Sequence, residues 1–404
     1  MMLYKFIKSN LVYSCLLLLA VYGCQQKDKE EGIDEELQFA VQQTQHMLDT
    51  LQYLQHDRLP KSVDKQGVMT QSDIYDWTSG FFPGTLWYLY EFSQDTSLKA
   101  KAQYWTQLLQ PIQNYYGHHD IGFMINCSYG NAYRITGDTA YKNVMVQTAK
   151  SLLKRYNPKV GAILSWDADK GWQKDRGWKY PVIIDNMMNL ELLFNAYRFT
   201  GDSTFYKVAV SHADKTMANH YRPDYSSYHV VDYDPETGQV LHQQTAQGYA
   251  DSSAWARGQA WGLYAYAFCY RETGLKRYLD QAKHIADYIL NHKHLPADKV
   301  PYWDFDAPDI PDTYRDASAA AIIASGLLDL ATEIKGADGH HYRQVAVTIL
   351  QNLSKPPYRA TLGTNQGFIL QHSVGSIPHN SEIDVPLVYA DYYYVEALMK
   401  LRKK

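Results

Sequence analysis

Apolar residues along this chain fall into two alternating kinds of segment. In one kind they leave almost no polar face. Across residues 181–202, "PVIIDNMMNLELLFNAYRFTGD", Val182, Ile183, Ile184, Met187, Met188, Leu190, Leu192, Leu193, Phe194 and Ala196 cover most of a helix circumference. A helix that is apolar nearly all round is a buried one. The other kind keeps one polar face and reads as a helix half exposed to solvent. A recurring motif joins the two. "NAYRITGDTAYKNVMVQTAKSLL" from Asn131, "NAYRFTGDSTFYKVAVSHADKTM" from Asn195 and "FCYRETGLKRYLDQAKHIADYIL" from Phe268 share Tyr-Arg-x-Thr-Gly followed by an amphipathic helix. "LYEFSQDTSLKAKAQYWTQLL" and "LATEIKGADGHHYRQVAVTIL" are degenerate copies. A glycine after the last apolar turn is a helix stop. Each unit therefore reads as a helical hairpin with a buried inner and a half-exposed outer helix.

Inner segments begin at Asp76, Asp120, Asp185, Asp251, Asp316 and Asp391. Inner helices rich in glycine, alanine and aromatics suit a closed ring, because small residues let neighbours approach. The expected fold is all-α, a six-hairpin (α/α)6 barrel forming a single domain over residues 38–404. Its first outer helix falls around "LQFAVQQTQHMLDTLQYL". In such a ring the inner N-termini converge on one mouth, where unpaired N–H groups and positive dipole ends favour anions. Aspartate is a common N-cap, so the aspartates at these starts are expected to be mostly caps. For Asp185 two readings stay open: a cap, or a carboxylate kept in apolar surroundings for chemistry.

The composition of the 404 residues, 46% hydrophobic, is ample for one large core. The net charge of −4 is spread without a basic stripe, which argues against nucleic acid as a partner. The 35 tyrosines and 9 tryptophans suit stacking on sugars as well as filling a core. The N-terminus "MMLYKFIKSNLVYSCLLLLAVYGCQQKDKEEG" has two lysines, then an apolar run too short to span a bilayer comfortably. It reads as an export signal over residues 1–23. "AVYGC" resembles a bacterial lipoprotein processing box with Cys24 as the lipidated residue, and residues 24–37 read as a tether. The expected location is the bacterial cell envelope, the body being held at the outer membrane by lipid alone, on its periplasmic or its surface face. Cys15 would leave with the signal. Cys127 and Cys269 lie in apolar helical stretches and read as buried free thiols. No Cys/His grouping has metal-ligand spacing, and neither a metal nor a cofactor is expected.

Unusual residues collect just ahead of the inner helices, where a site on this scaffold would be built. "HHDIGFM" sets His118, His119 and Asp120 in a row, and "QGYADSSAWARGQAWG" places Arg257 and Trp261 one helical turn apart. Trp166, Trp172 and Trp178 precede Asp185. A buried arginine could be the counter-charge for a carboxylate ligand or one half of a structural salt bridge. Trp261 could be core or a sugar platform.

"DWTSGFFPGTLWYLYE", "HDIGFM", "IDNMMNLELL", "YHVVDYDPETG", "QGYADSSAWARGQAWGLY" and "DYYYVEALMKL" resemble, in order and over nearly the whole mature chain, the motifs of unsaturated glucuronyl hydrolases, glycoside hydrolase family 88. The resemblance implies a six-hairpin barrel and an exo-acting hydrolase. Its substrate is the 4,5-unsaturated uronic acid that polysaccharide lyases leave at the non-reducing end of oligosaccharides, here of glycosaminoglycan type. It implies Asp185 as the general acid that protonates C4 and helps water reach C5, with Asp120 as the second essential carboxylate. It further implies that Trp77, His229, Gln247, Arg257 and Trp261 contact the substrate. His118 and His119 are expected to be structural partners of their loop. Some members that accept sulfated fragments carry Ser-x-x-Ser-x-Lys near the C-terminus. Here "HSVGSIPHNSEID" keeps Ser376 but has His379 and Ser381 at the other two places, which puts a sulfate contact in doubt. Alternatives are an unsaturated rhamnogalacturonyl hydrolase, a sugar epimerase using the His pair, or a non-catalytic glycan-binding lipoprotein.

Overall fold

The computed structural model describes residues 32–55 and 57–402. In each of its three copies the Tyr-Arg-x-Thr-Gly motif ends an inner helix in the same way. The glycine takes the left-handed conformation that terminates the helix, with φ of 70° at Gly137, 73° at Gly201 and 66° at Gly274. The threonine hydroxyl donates back to the carbonyl four residues earlier: Thr136 to Ala132, Thr200 to Ala196 and Thr273 to Cys269. In two copies the next aspartate caps the outer helix, Asp138 accepting from the Ala140 N–H at 2.8 Å and Asp202 from the Thr204 N–H at 2.9 Å. The arginine sits where the helix dipole favours a cation, and pairs with acids of neighbouring inner helices. Arg134 binds Glu91, Arg198 binds Glu272, and Arg271 binds Glu191 and Asp329. One short motif thus stops a helix, starts the next and ties adjacent hairpins together.

The inner helices are α2 (Phe81–Ser93), the broken run α4 (Ile121–Ile125) and α5 (Asn131–Thr136), α7 (Leu190–Thr200), α9 (Ala256–Thr273), α11 (Ala317–Glu333) and α13 (Val388–Arg402). The outer ones are α1 (32–51), α3 (Thr96–Leu108), α6 (Thr139–Leu153), α8 (Ser203–Asn219), α10 (Lys276–Asn291) and α12 (Ala337–Leu353). Each inner helix touches the next, and α13 returns to α2, so the ring is closed as an (α/α)6 barrel. Closure depends on absent side chains. A Cβ on Gly84 of α2 would fall 2.5 Å from the Tyr392 ring of α13 and 2.6 Å from the Cys127 carbonyl oxygen. The barrel interior is aromatic, with one buried polar knot. Glu396 of α13 accepts from the Tyr88 and Tyr264 hydroxyls at 2.9 and 3.0 Å, and pairs with Lys400 at 3.2 Å.

Three expectations need correction. The second inner segment is not one regular helix: a π turn, Asn126–Gly130, separates α4 from α5, and Asn126 there donates to Glu191 of α7 at 2.8 Å. Helix α1 begins at residue 32, inside the stretch read as tether, because Leu37 is buried and Glu36 pairs with Arg359 at 2.6 Å. The inner aspartates are mostly not caps. Asp316 is one, accepting from the Ser318 and Ala319 N–H groups, and Asp76 forms a turn with Thr78. Asp251 lies five residues ahead of α9, and Asp391 lies inside α13. Signal, Cys24 and the first tether residues lie outside the described residues. Cys127 and Cys269 are buried free thiols, as expected.

The long connections on the mouth side hold short strands. These are the hairpin β1 (Leu59–Val63) and β2 (Met69–Ser72), the pair β3 (Tyr156–Asn157) and β4 (Ala162–Ile163), the sheet β5 (Pro181–Ile183), β6 (Val230–Tyr233) and β7 (Val240–Gln244), and the hairpin β8 (Ser373–Ser376) and β9 (Ser381–Val385). The β5–β6–β7 sheet is antiparallel, with Ile183 opposite Val230, which places the turn after β5 beside His229.

Candidate active site

Asp185 follows β5 in a 3-10 turn, Ile184–Asn189, that leads into α7. Its carboxylate caps nothing, and Oδ2 is buried without a hydrogen-bond partner in the protein. Ile184, Met187 and Met188 around it are buried. Desolvation pushes its pKa up from 3.8 to about 7. The Arg257 charge pulls the other way, the Asp120 charge adds to the rise, and the Trp261 indole N–H holds the value down. The turn is anchored by Asn186, whose amide donates to the Ile163 carbonyl at 2.7 Å and to Ser165 at 3.0 Å.

Asp120 stands at the head of α4, also without a cap bond. His118 Nδ1 lies 3.3 Å from Oδ2, and His119 Nε2 lies 3.2 Å from Oδ1. Burial raises the Asp120 pKa, but the two histidines outweigh it and the net shift is downward, so Asp120 is the anion of the pair. His119 is neutral, its pKa lowered to about 4 by burial. His118 is shifted up: burial opposes the charge, but the bond to Asp120 favours it more. The two carboxyls are thus driven apart, one toward the acid and one toward the base, which is the arrangement that assigns roles to a pair.

His229 precedes β6. Its Nδ1 accepts from the Ala246 and Gln247 N–H groups at 3.0 and 3.1 Å, so the ring proton sits on Nε2, 3.6 Å from Asp185 Oδ2. Desolvation keeps this ring neutral. Trp261 is fully buried one turn into α9. Trp77, ahead of α2, is half-buried, with its ring 4.8 Å from Tyr389 and 5.7 Å from Phe81. Gln247 donates to the Gly375 carbonyl at 3.2 Å.

Arg257 is placed differently from a free counter-charge. It is 1% exposed, and its fork is taken by Asp316 at 3.2 Å and by the Val374 and Gly375 carbonyls of β8. Only Nε has no partner, and the guanidinium lies over the Trp255 and Tyr389 rings at 4.5 and 5.4 Å. The bidentate grip that its planar fork offers is therefore spent on the protein.

Buried polar atoms without a hydrogen-bond partner in the protein gather here: Asp185 Oδ2, His229 Nε2, Arg257 Nε and Tyr389 OH. Each would cost about 1–3 kcal/mol if nothing met it. His229 Nε2–H, Arg257 Nε–H and the Tyr389 hydroxyl are donors in the neighbourhood of the Asp185 carboxyl, free to bond a guest rich in oxygen acceptors. Tyr389 and Trp255 were not singled out from sequence; His118 and His119 were expected to be structural partners of their loop, and both rings lie against Asp120.

Above His229 the rim is aromatic. Trp166 lies 5.9 Å from His229 and 5.1 Å from Trp172, and Trp172 lies 4.8 Å from His379. His379 Nδ1 is bound to the Ser376 hydroxyl at 2.7 Å. Among the described residues one group, His292, His294 and Asp306, brings ligand atoms within 4.8 Å of one another. It joins a loop pair that sequence spacing did not reveal. His292 Nδ1 accepts the His294 N–H, so the neutral ring turns a donor, not a lone pair, toward Asp306. That is a poor fit to a cation.

The profile of Glycosyl Hydrolase Family 88 matches residues 50–402. The chain belongs to glycoside hydrolase family 88. It is 45% identical over 326 residues to an unsaturated glucuronyl hydrolase of Formosa agariphila, covering 80% of each chain. It is 34% identical over 381 residues, 93% of each, to an unsaturated chondroitin disaccharide hydrolase of Streptococcus pneumoniae. A crystal structure of an unsaturated glucuronyl hydrolase specific for heparin superposes with a TM-score of 0.87 at 48% identity, over 93% of this chain and 98% of that one. In this chain Asp185 and His229 lie side by side, Arg257 and Trp261 are buried at the start of α9, and Gln247 and Arg257 both bind the Gly375 carbonyl.

Proposed function

We propose that the protein removes the 4,5-unsaturated uronic acid from the non-reducing end of lyase-generated, glycosaminoglycan-type oligosaccharides. The observation that carries this is Asp185, a carboxyl pushed up to a pKa of about 7 beside an ionised Asp120, with its Oδ2 unpartnered. A group of that kind can give a proton to a carbon near neutral pH. Asp185 protonates C4, positive charge develops at C5 and the ring oxygen, and water adds to C5 while its proton returns to the Asp185 carboxylate. The C5 hemiketal then opens the ring, and the hemiacetal left at C1 expels the sugar alcohol. No bond at C1 is attacked directly, so the spacing rule for retaining and inverting glycosidases does not apply. Asp120 stays an anion and raises Asp185, while the neutral Nε2–H of His229 and the Trp261 N–H offer donors to the guest. Trp77 and the Trp166–Trp172 rim supply ring faces for the first and second sugars. His379, bonded to Ser376 and against Trp172, holds the place of the motif's second serine, and Ser381 holds that of its lysine; without that cation the site favours fragments unsulfated at that position.

Incubation with unsaturated disaccharides, sulfated and not, should abolish the ultraviolet absorbance of the C4=C5 bond. Asp185→Asn should lower kcat by at least about 10³-fold, as removal of the proton donor. An Asp185→Asn enzyme working near the wild-type rate would sink the acid assignment, and bound but unconsumed substrate in the wild type would favour a glycan-binding protein.

The lipoprotein reading belongs to the same proposal. It is supported by the "AVYGC" box ahead of Cys24, and no helix among the described residues is long and apolar enough to cross a membrane. Cys24→Ser should stop incorporation of labelled fatty acid in a bacterial host; labelling that persists would remove the anchor from the proposal.

A further inference from the structure

Asn189 closes the turn that carries Asp185, and its side chain is fully buried against the neighbouring hairpin. Its Oδ1 accepts the Phe123 N–H at 2.9 Å. A backbone N–H can only donate, so the amide is pinned with its oxygen toward Phe123. Its NH2 then faces His119, whose Nδ1 lies 3.0 Å away. An amide NH2 can only donate as well, so His119 Nδ1 must present its lone pair, and the neutral ring must carry its proton on Nε2. That nitrogen faces Asp120 Oδ1 at 3.2 Å. The approach is tight: a Cβ on Gly122 would fall 2.5 Å from Asn189 Oδ1, so glycine is required there.

We propose that Asn189 is a positioning residue that locks His119 in the Nε2–H form beside Asp120, so that one turn carries both the acid and the control of its partner. A neutral N–H faces the Asp120 carboxylate without cancelling its charge. That charge is among the causes that raise Asp185. An imidazolium in the same place would offset it and release the Asp185 proton at lower pH. The kinetic part rests on the hydrolase reading above; the tautomer does not.

Asn189→Asp keeps the acceptor for Phe123 and replaces the donor to His119 by a second acceptor. His119 must then protonate Nδ1, either by exchanging tautomers or by becoming a cation. The expected result is a kcat lower by at least about 10²-fold, less than the roughly 10⁴ that a wrong tautomer costs in a hydrolase triad because His119 acts here through Asp120, with KM changed only a few-fold. Long-range 1H–15N spectra of the imidazole rings at pH 7 read the tautomer without substrate, His119 being assigned by its loss in His119→Gln. Wild-type His119 should show a bare Nδ1 and a protonated Nε2, and the Asn189→Asp protein a protonated Nδ1. A wild-type ring protonated on Nδ1, or an Asn189→Asp enzyme with wild-type kcat, overturns the proposal. The wild-type spectrum decides the matter if the variant does not fold, and it also decides it if the substrate class is wrong.

Discussion

Asp185 and Asp391 are both buried aspartates pushed up to about 7, and they differ in what their oxygens meet. Asp391 gives its two oxygens to the Ile369 and Leu370 N–H groups, each at 2.9 Å, and pins a loop. Asp185 leaves Oδ2 open. The cost of keeping it there depends on pH. Below about pH 4 the carboxyl is protonated folded or unfolded. Between about 4 and 7 the folded protein holds a proton that the unfolded chain has lost, so stability falls as pH rises, and above about 7 the loss is constant. At about 1.36 kcal/mol per unit, the whole window is worth roughly 2–4 kcal/mol. Asp185→Asn should therefore be more stable than the wild type at pH 8 by about that amount and nearly equal to it at pH 4, as read by urea denaturation at both values. Equal stability at pH 8 would mean that the carboxyl ionises in the fold without penalty. Activity in the wild type should fall as pH rises through about 7, where the folded Asp185 loses the proton that the acid must carry.

At the scale of elements, the β8–β9 hairpin is held down from inside the barrel. Arg257 binds the Val374 and Gly375 carbonyls and Asp316 caps α11, so one buried ion pair links α9, α11 and the hairpin. Sequence reasoning made this arginine a counter-charge for the substrate first and a salt bridge second. The geometry reverses the order. Arg257→Ala leaves Asp316 buried without its cation and should cost about 3–5 kcal/mol. A melting temperature within about two degrees of the wild type, together with a large rise in KM, would restore the original order. The helical repeats were legible because a period of buried and half-buried faces persists over many residues. The strands were not, since segments such as Val230–Tyr233 are too short to stand out between helices. The site followed the same divide. Asp185 and Asp120 were visible at inner starts, but whether a carboxylate there caps, pins or stays free is set by partners that meet only in the fold. Asn189 sits in the same apolar stretch and looked like one more helical residue.

For the molecule as a whole, twelve alternating segments were enough to foresee a closed ring, because each inner face needs two neighbours and only closure supplies them all. What periodicity could not supply was the mouth, built from long connections with no repeat of their own. The ring also closes late. α13 fills the gap between α11 and α2, brings Glu396 to Tyr88 and Tyr264, and carries Tyr389 to Arg257. Among the described residues α13 follows every other helix. Until it emerges, the nascent chain carries five finished hairpins with two bare apolar flanks and an incomplete pocket, so assembly of the catalytic mouth and burial of the last core surface are one event.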